Sequence, residues 1–280
     1  KYLCDESFAD PSYCYDHDYG IPGRFDIFGP NAEVDFFTDA NPSRESYSVY
    51  AQTTYSLADA FRIVSGLRYS EDTFTTDVTN FLNVESFQEE GTTDEITSRV
   101  VAEVDFSEDL MGYFALARGF KPGGSNLTFG FDDDNAPPMV FPTFEAETVD
   151  SVEFGLKSTF ADGAARANIA VFSYTYENLQ FQATDPDIYR GGVANIPESE
   201  MSGLEIEFTG FLTDSLSLDM NLAFLDSEVT SDYEVLDNVD AYPYFFGEED
   251  IRYGLRENVK GNQLAKTPEF TADITFKHET

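Results

Sequence analysis

The chain has 280 residues, with 16 Lys plus Arg against 53 Asp plus Glu and a formal net charge of −37. That balance excludes electrostatic docking on nucleic acid or on an anionic cytoplasmic leaflet, since both need clustered cations. An apolar fraction of 41%, with 27 Phe and 16 Tyr, excludes a disordered acidic tail, which would be poor in aromatics.

No run of 18 apolar residues is present, so there is no transmembrane helix. Spanning β-strands remain open, because each needs only about 9–11 residues with every second one apolar. The chain opens on Lys1, without Met or a secretory leader. The expectation is a fragment or a processed chain whose targeting segment lies elsewhere.

The only two cysteines, Cys4 and Cys14, lie in a short stretch containing Asp5, Asp10 and Pro11. Such a pair suits a small disulfide-closed loop of an oxidising compartment. Two free thiols are the alternative. A metal site is weaker, since only His17 is near and a fourth ligand would have to come from Asp16 or Asp18.

From Tyr47 onward the sequence alternates with period two. Tyr47, Val49, Ala51, Thr53, Tyr55 and Leu57 share one face; Ser48, Gln52 and Thr54 share the other. Phe61, Ile63, Leu67 and Tyr69 oppose Arg62, Gly66 and Arg68. Val100, Ala102, Val104 and Phe106 oppose Arg99, Glu103 and Asp105. Around Met111 to Lys121 the pattern is less clean, with Phe114 and Leu116 sharing a parity with Arg118. Val152, Phe154 and Leu156 oppose Glu153 and Lys157; Ala167, Ile169 and Val171 oppose Arg166 and Asn168. Leu204, Ile206 and Phe208 oppose Glu205 and Glu207. Leu216, Leu218, Met220, Leu222 and Phe224 oppose Ser217, Asp219 and Asn221. Phe270, Ala272, Ile274 and Phe276 oppose Thr271, Asp273 and Lys277. Successive side chains of a strand point to opposite faces, so these segments read as nine strands with one apolar and one polar side.

Short turns carrying Asp59, Asp109, Asp162 and Asp214 join strands in pairs, at spacings of 50, 53 and 52 residues. Between the hairpins lie long polar stretches, about 70–95, 122–144, 184–200 and 230–263. Short turns at one end and long loops at the other predict an all-β fold, an antiparallel up-and-down transmembrane β-barrel, with residues 1–44 an extracellular loop and 45–280 part of the barrel. A soluble acidic β-sheet, an adhesin or a divalent-ion-binding surface protein, also alternates in this way. Against it stand recurrent long loops, which compact domains avoid, polar faces bearing both charge signs, and aromatic strand ends such as Tyr55, Phe61, Phe106, Phe160 and Phe270. A propeller repeats at a similar period but has four strands per repeat, where two are found here.

At Tyr113-Phe114-Ala115-Leu116-Ala117-Arg118-Gly119-Phe120-Lys121-Pro122-Gly123-Gly124-Ser125-Asn126 the sequence resembles the barrel of a TonB-dependent outer-membrane receptor. Further matches follow in family order. They are Phe144-Glu145-Ala146-Glu147, then Ser151-Val152-Glu153-Phe154-Gly155-Leu156-Lys157-Ser158, then Ala170-Val171-Phe172 with Tyr174 and Tyr176. Asn195, Ser202-Gly203-Leu204-Glu205-Ile206-Glu207 and Gly261-Asn262-Gln263-Leu264 with Thr267-Pro268-Glu269-Phe270 complete the series. The resemblance implies a barrel of about 22 strands around an N-terminal plug. It also implies import of a scarce large solute, most readily an iron–siderophore complex, driven by the TonB complex from an outer membrane. Nine strands cannot close such a barrel, and no plug is recognisable, so the chain is expected to be an interior piece that would leave bare strand edges if isolated. TonB would be met through the missing N-terminal region.

No enzyme is legible. The two histidines, His17 and His278, lie far apart, and no nucleophile elbow, phosphate loop or dinucleotide fingerprint occurs. No cofactor is expected. The acid runs at Asp132-Asp133-Asp134 and Asp185-Pro186-Asp187 lack the spacing of a calcium loop and read as solvated surface. Ligand contacts would come from lumen-facing residues near the long-loop end. If alternation persists past Asn168, Phe172, Tyr174, Tyr176, Gln180 and Gln182 point inward, and aromatic faces with amides suit a sugar or an aromatic chelate. Wall packing is the plainer role for them. Lys121 and Arg190 are candidate anion contacts, and Arg118 is expected to face outward toward the headgroups.

Overall fold

The computed structural model describes residues 14–15, 22–23, 38–80, 85–126, 143–184, 191–236 and 256–278. The chain divides into two compact units, residues 1–40 with 78–87 and residues 41–77 with 88–280. Within the first unit the described residues include a two-residue ladder pairing Cys14 with Gly23 and Tyr15 with Pro22. Cys4 is not among the described residues, so the Cys4–Cys14 pairing lies outside them, as do His17, Arg190 and both acid runs.

The second unit is built on one antiparallel sheet, of whose strands only residues 38–40, 78–80 and 85–87 belong to the first unit. Its strands are β1 (Thr38–Ala58), β2 (Phe61–Asn80), β3 (Glu85–Ser107), β4 (Leu110–Lys121), β5 (Glu147–Phe160), β6 (Ala165–Thr184), β7 (Gly191–Thr213), β8 (Leu216–Val229) and β9 (Phe270–His278). They lie side by side in chain order from β1 to β9, with no crossover. This is the up-and-down order that consecutive hairpins produce, and the nine alternating segments each fall on one of these strands. Asp59, Asp109, Asp162 and Asp214 all sit in the short turns. At the third turn Ala161, Asp162 and Gly163 have φ of 53°, 53° and 89°, which reverses the chain within four residues.

Register assigns the faces. Phe114 of β4 lies opposite Phe154 of β5, which lies opposite Val171 of β6. Ile169 of β6 lies opposite Ile206 of β7, and Phe224 of β8 lies between Leu204 and Phe270. All of these are on the apolar face. No second layer of protein covers it among the described residues. Val100 is 46% and Phe154 53% exposed, with Val171 at 53% and Ile274 at 55%. A row of large apolar side chains this open would be untenable in water, and it matches a wall whose solvent is lipid.

On β3 the apolar parity runs from Ile96 to Phe106. Its ten steps of about 3.4 Å, tilted by about 45°, rise roughly 24 Å, close to the apolar band of about 25 Å that an outer-membrane wall presents. Aromatic rings mark its rims. Phe160 and Phe208 lie 6.2 Å apart at the turn end, and Phe224 and Phe270 lie 5.0 Å apart at the other.

Two of the expected loops are wrong in extent. Instead of a loop over 70–95, β2 continues to Asn80 and β3 begins at Glu85; instead of one over 184–200, β6 ends at Thr184 and β7 starts at Gly191. A strand of 23 residues is about twice what a bilayer needs, so its upper half stands in water. There both faces are wet, the alternation disappears, and periodicity alone cannot recognise the strand.

Candidate functional site

The polar parity forms the inner wall, and its charges are paired at different depths. Near the turn end Arg62 Nε donates to Glu103 Oε2 and Nη1 to Asp105 Oδ2, each at 2.5 Å. Lys277 Nζ donates to Asp219 Oδ2 at 2.5 Å on the far side of the sheet. At mid-height Tyr113 Oη donates to Glu153 Oε1 at 2.5 Å, and Lys157 Nζ sits 5.4 Å above the Tyr113 ring. That ring lies flat over Gly155, where a Cβ would come within 2.3 Å of it. A shallow depression at this level is lined by Tyr113, Glu153, Lys157, Asn168, Glu205 and Glu207.

Higher up, Phe172 is buried and its ring stacks on Tyr174 with centroids 4.8 Å apart and planes 20° off parallel. Tyr174 lies opposite Ser151 and Met201, and Tyr176 lies opposite Val149 and Ser199, so both are on the inner parity. Two residues on, Asn178 has φ of 55°, and the ladder skips from Glu177–Glu198 to Leu179–Ile196. Pro197 sits opposite that kink and has no N–H to give.

Beyond the kink the expected ligand residues part ways. The Gln180 amide is shared among the carbonyls of Lys121 (3.3 Å), Pro122 (3.0 Å) and Glu145 (3.0 Å), while its backbone N–H donates to Glu147 Oε2 at 2.8 Å. Gln182 is exposed opposite Val193. Lys121 closes β4 opposite Glu147. Tyr174, Tyr176, Gln180, Gln182 and Lys121 thus gather at the long-loop end of β4 and β6. Arg118 lies on the outer parity as expected, with Nη1 3.2 Å from Asp150 Oδ2 and Nη2 3.8 Å from Glu177 Oε2.

Sequence reasoning missed the loop base above these residues. Lys121–Asn126 and 143–146 form two legs, joined by Gly124–Phe144 and Ser125–Thr143 pairing. Arg44 Nη2 donates to Gly123 O at 2.6 Å, and the Ser125 and Thr76 hydroxyls meet at 2.6 Å. Asn126 and Asn195 each use a side-chain amide on a main chain, Asn126 on Val193 and Asn195 on Glu145. The signals for them are the Gly123-Gly124-Ser125-Asn126 run, Phe144-Glu145-Ala146 and Asn195, which the sequence shows as family motifs without a role. Among the described residues no three His, Cys, Asp or Glu side chains converge to hold a metal ion.

A one-layer sheet with a lipid-facing side, a wet charged side and hairpins in chain order is the wall of an outer-membrane barrel. The family model described as TonB dependent receptor-like, beta-barrel matches residues 7–279. The chain belongs to the TonB-dependent receptor β-barrel family. It is 28% identical over 226 residues to the pesticin receptor of Yersinia enterocolitica, covering 78% of this chain and 30% of that protein. It is 28% identical over 197 residues to a probable TonB-dependent siderophore receptor, PiuA, of Acinetobacter baumannii, covering 69% of this chain and 25% of that protein. In structure it is similar to the ferric yersiniabactin uptake receptor FyuA of Yersinia pestis, with a TM-score of 0.61 at 20% identity, over 86% of this chain and 32% of that one. The chain thus spans about a third or less of the receptors it matches. As a TonB-dependent receptor barrel it is an outer-membrane wall, and its family consists of transporters rather than enzymes.

Proposed function

We propose that this chain is part of the wall of a receptor that imports an iron–siderophore complex across the outer membrane, with TonB supplying the drive. The observation that carries the reading is the single-layer sheet, whose apolar face is bare and whose other face is lined with paired charges. Such a wall can enclose a wet path through lipid. The siderophore is favoured over other solutes because PiuA, a relative at 28% identity, is described as a siderophore receptor.

Tyr174, Tyr176, Gln182 and Lys121 are the ligand contacts in this reading, with Gln180 holding the surface they stand on and Arg190 a further anion contact. Stacked rings beside amides and a cation suit a planar, anionic chelate. Uptake by the intact receptor in cells decides it, using radio-iron on catecholate, hydroxamate and phenolate–thiazoline chelators, with labelled cobalamin and an oligosaccharide as controls. Accumulation of one iron chelate, lost in a strain without TonB, is expected. Uptake of cobalamin or sugar alone, or uptake indifferent to TonB, overturns the reading.

A further inference from the structure

Strand β7 outruns its neighbour. The β7–β8 ladder stops at Ser199–Val229, so among the described residues no strand pairs with the β8-side edge of 191–197. A bare edge of this kind offers unpaired N–H and C=O groups. At Val193 both are taken by one side chain. Asn126 Oδ1 accepts from Val193 N–H and Asn126 Nδ2 donates to Val193 O, each at 2.8 Å. A side-chain amide carries the same donor and acceptor as a peptide, so Asn126 acts as one residue of a missing strand.

The same device recurs in the opposite direction. Asn195 Oδ1 accepts from Glu145 N–H at 2.8 Å, and Asn195 Nδ2 donates to Glu145 O at 3.1 Å and to Asn178 O at 2.8 Å. One leg of the loop base therefore lends an amide to β7, and β7 lends an amide to the other leg. Asn126 is 5% exposed, and Gly192 leaves room for it, since a Cβ there would stand 3.0 Å from the amide. The far side of the legs is fastened too, through Arg44 of β1 and Thr76 of β2, the latter 3% exposed. Ser125 and Asn126 are adjacent in the chain, yet they reach β2 and β7, five strands apart in the sheet.

We propose that 121–126 and 143–146 form a fixed brace across the inner face of the wall at its long-loop end, locked by the reciprocal amide clamps of Asn126 and Asn195. The brace stays in place during solute passage, and opening takes place elsewhere in the receptor. This does not depend on which solute is carried. Segments that move are drawn from the weakly held end of a structure, with few buried contacts and open backbone bonds. In the first leg Gly123, Gly124 and Asn126 are buried, and in the second the main chain of Glu145 is held by the amides of Asn195 and Gln180.

Hydrogen exchange on the intact receptor in detergent micelles tests the clamps. In the wild-type protein the Val193 and Glu145 amides should exchange at least about 100-fold more slowly than an open peptide. Asn126→Ala should speed Val193 about tenfold or more, and Asn195→Ala should do the same at Glu145, with Ile206 and Met220 unchanged. Open-peptide rates in the wild type, or variants without local effect, overturn the clamps. If Asn126→Ala does not assemble, Asn126→Asp keeps the acceptor, and Val193 should stay protected; free exchange there overturns the assignment. Fixity is read in living cells from oxidative cross-linking of Thr76→Cys with Ser125→Cys in the intact receptor. The rate should agree within about twofold between energised and protonophore-treated cells, given a geometry that places the two groups together. No cross-link in either state, or a severalfold fall in energised cells, overturns the brace and makes the strap a gate.

Discussion

Replacing Phe154 with Arg tests which solvent meets the apolar face. Phe154 sits between Phe114 and Val171 near the middle of the band and is 53% exposed. In lipid an Arg at the midplane costs about 2–4 kcal/mol, falling to about 0–1 near the interfaces. Loss of the cross-strand pair with Phe114 adds about 0.2–1 kcal/mol. Phe160 lies six residues farther along β5, at its turn end. That is roughly 20 Å of strand and, at a tilt of about 45°, roughly 14 Å of depth, which places Phe160 at the rim. Phe160→Arg should therefore cost no more than about 1 kcal/mol. Asn221→Arg, on the inner parity between Glu207 and Asp273, should be near neutral. Denaturant titration of the intact receptor in lipid vesicles, read by electrophoretic mobility of the folded barrel, gives all three values. Equal costs at Phe154 and Phe160, or a neutral Phe154→Arg, would refute the lipid-facing assignment.

Gly155→Ala places a methyl where the Tyr113 ring now lies, 2.3 Å away, and should cost about 1–3 kcal/mol while releasing Glu153 from the Tyr113 hydroxyl. The same titration gives the cost, and Tyr113→Phe in the Gly155→Ala background should then add little. Arg62→Ala leaves Glu103 and Asp105 facing each other without their shared cation, for a loss of about 1 kcal/mol that shrinks in high salt. Gln180→Ala strips the shared donor from the Lys121, Pro122 and Glu145 carbonyls, and should speed exchange across 143–147 without disturbing the β7–β8 hairpin. In the segment between β8 and β9, hydrogen bonds from Asn258 and Lys260 hold the Asp232 carboxyl below its ordinary value. The contribution is therefore present above the unfolded carboxyl's pKa and is lost as pH falls through the lower, folded one. Protection of 256–260 should decline only in that acid window, and Asp232→Asn should remove the dependence.

What the sequence made legible is what a bilayer imposes on it. Wherever lipid lies on one side and water on the other, side chains must alternate, and Leu216 to Phe224 or Val100 to Phe106 can be read without any tertiary knowledge. The turns were legible because Asp and Gly at fixed spacing have local conformational reasons to be there. Above the membrane that constraint lifts, and the upper halves of β2, β3 and β7 look like loops in the sequence. The brace was illegible for a different reason. Asn126 and Val193 are 67 residues apart, and an asparagine that imitates a peptide looks like any other polar loop residue.

The inner wall can be sorted by what remains free on it. At the turn end, Arg62 and Lys277 are committed to carboxylates, and at mid-height the Tyr113 hydroxyl is committed to Glu153. At the top, Gln180, Asn195 and Asn126 spend their amides on main-chain groups. Groups engaged in this way contribute shape and rigidity, because diverting them to a ligand would give up main-chain hydrogen bonds, each worth about 0.5–1.5 kcal/mol. The aromatic surface of Tyr174 and Tyr176, between the mid-height ion cluster and the brace, carries no such obligation. A ring can stack on a bound chelate without giving up a hydrogen bond, and the brace above fixes the height at which it would do so. Tyr174→Ala and Tyr176→Ala should therefore weaken chelate binding by the intact receptor while leaving Val193 and Glu145 protected from exchange. Loss of that protection in either variant would place these tyrosines in the scaffold instead of the binding surface.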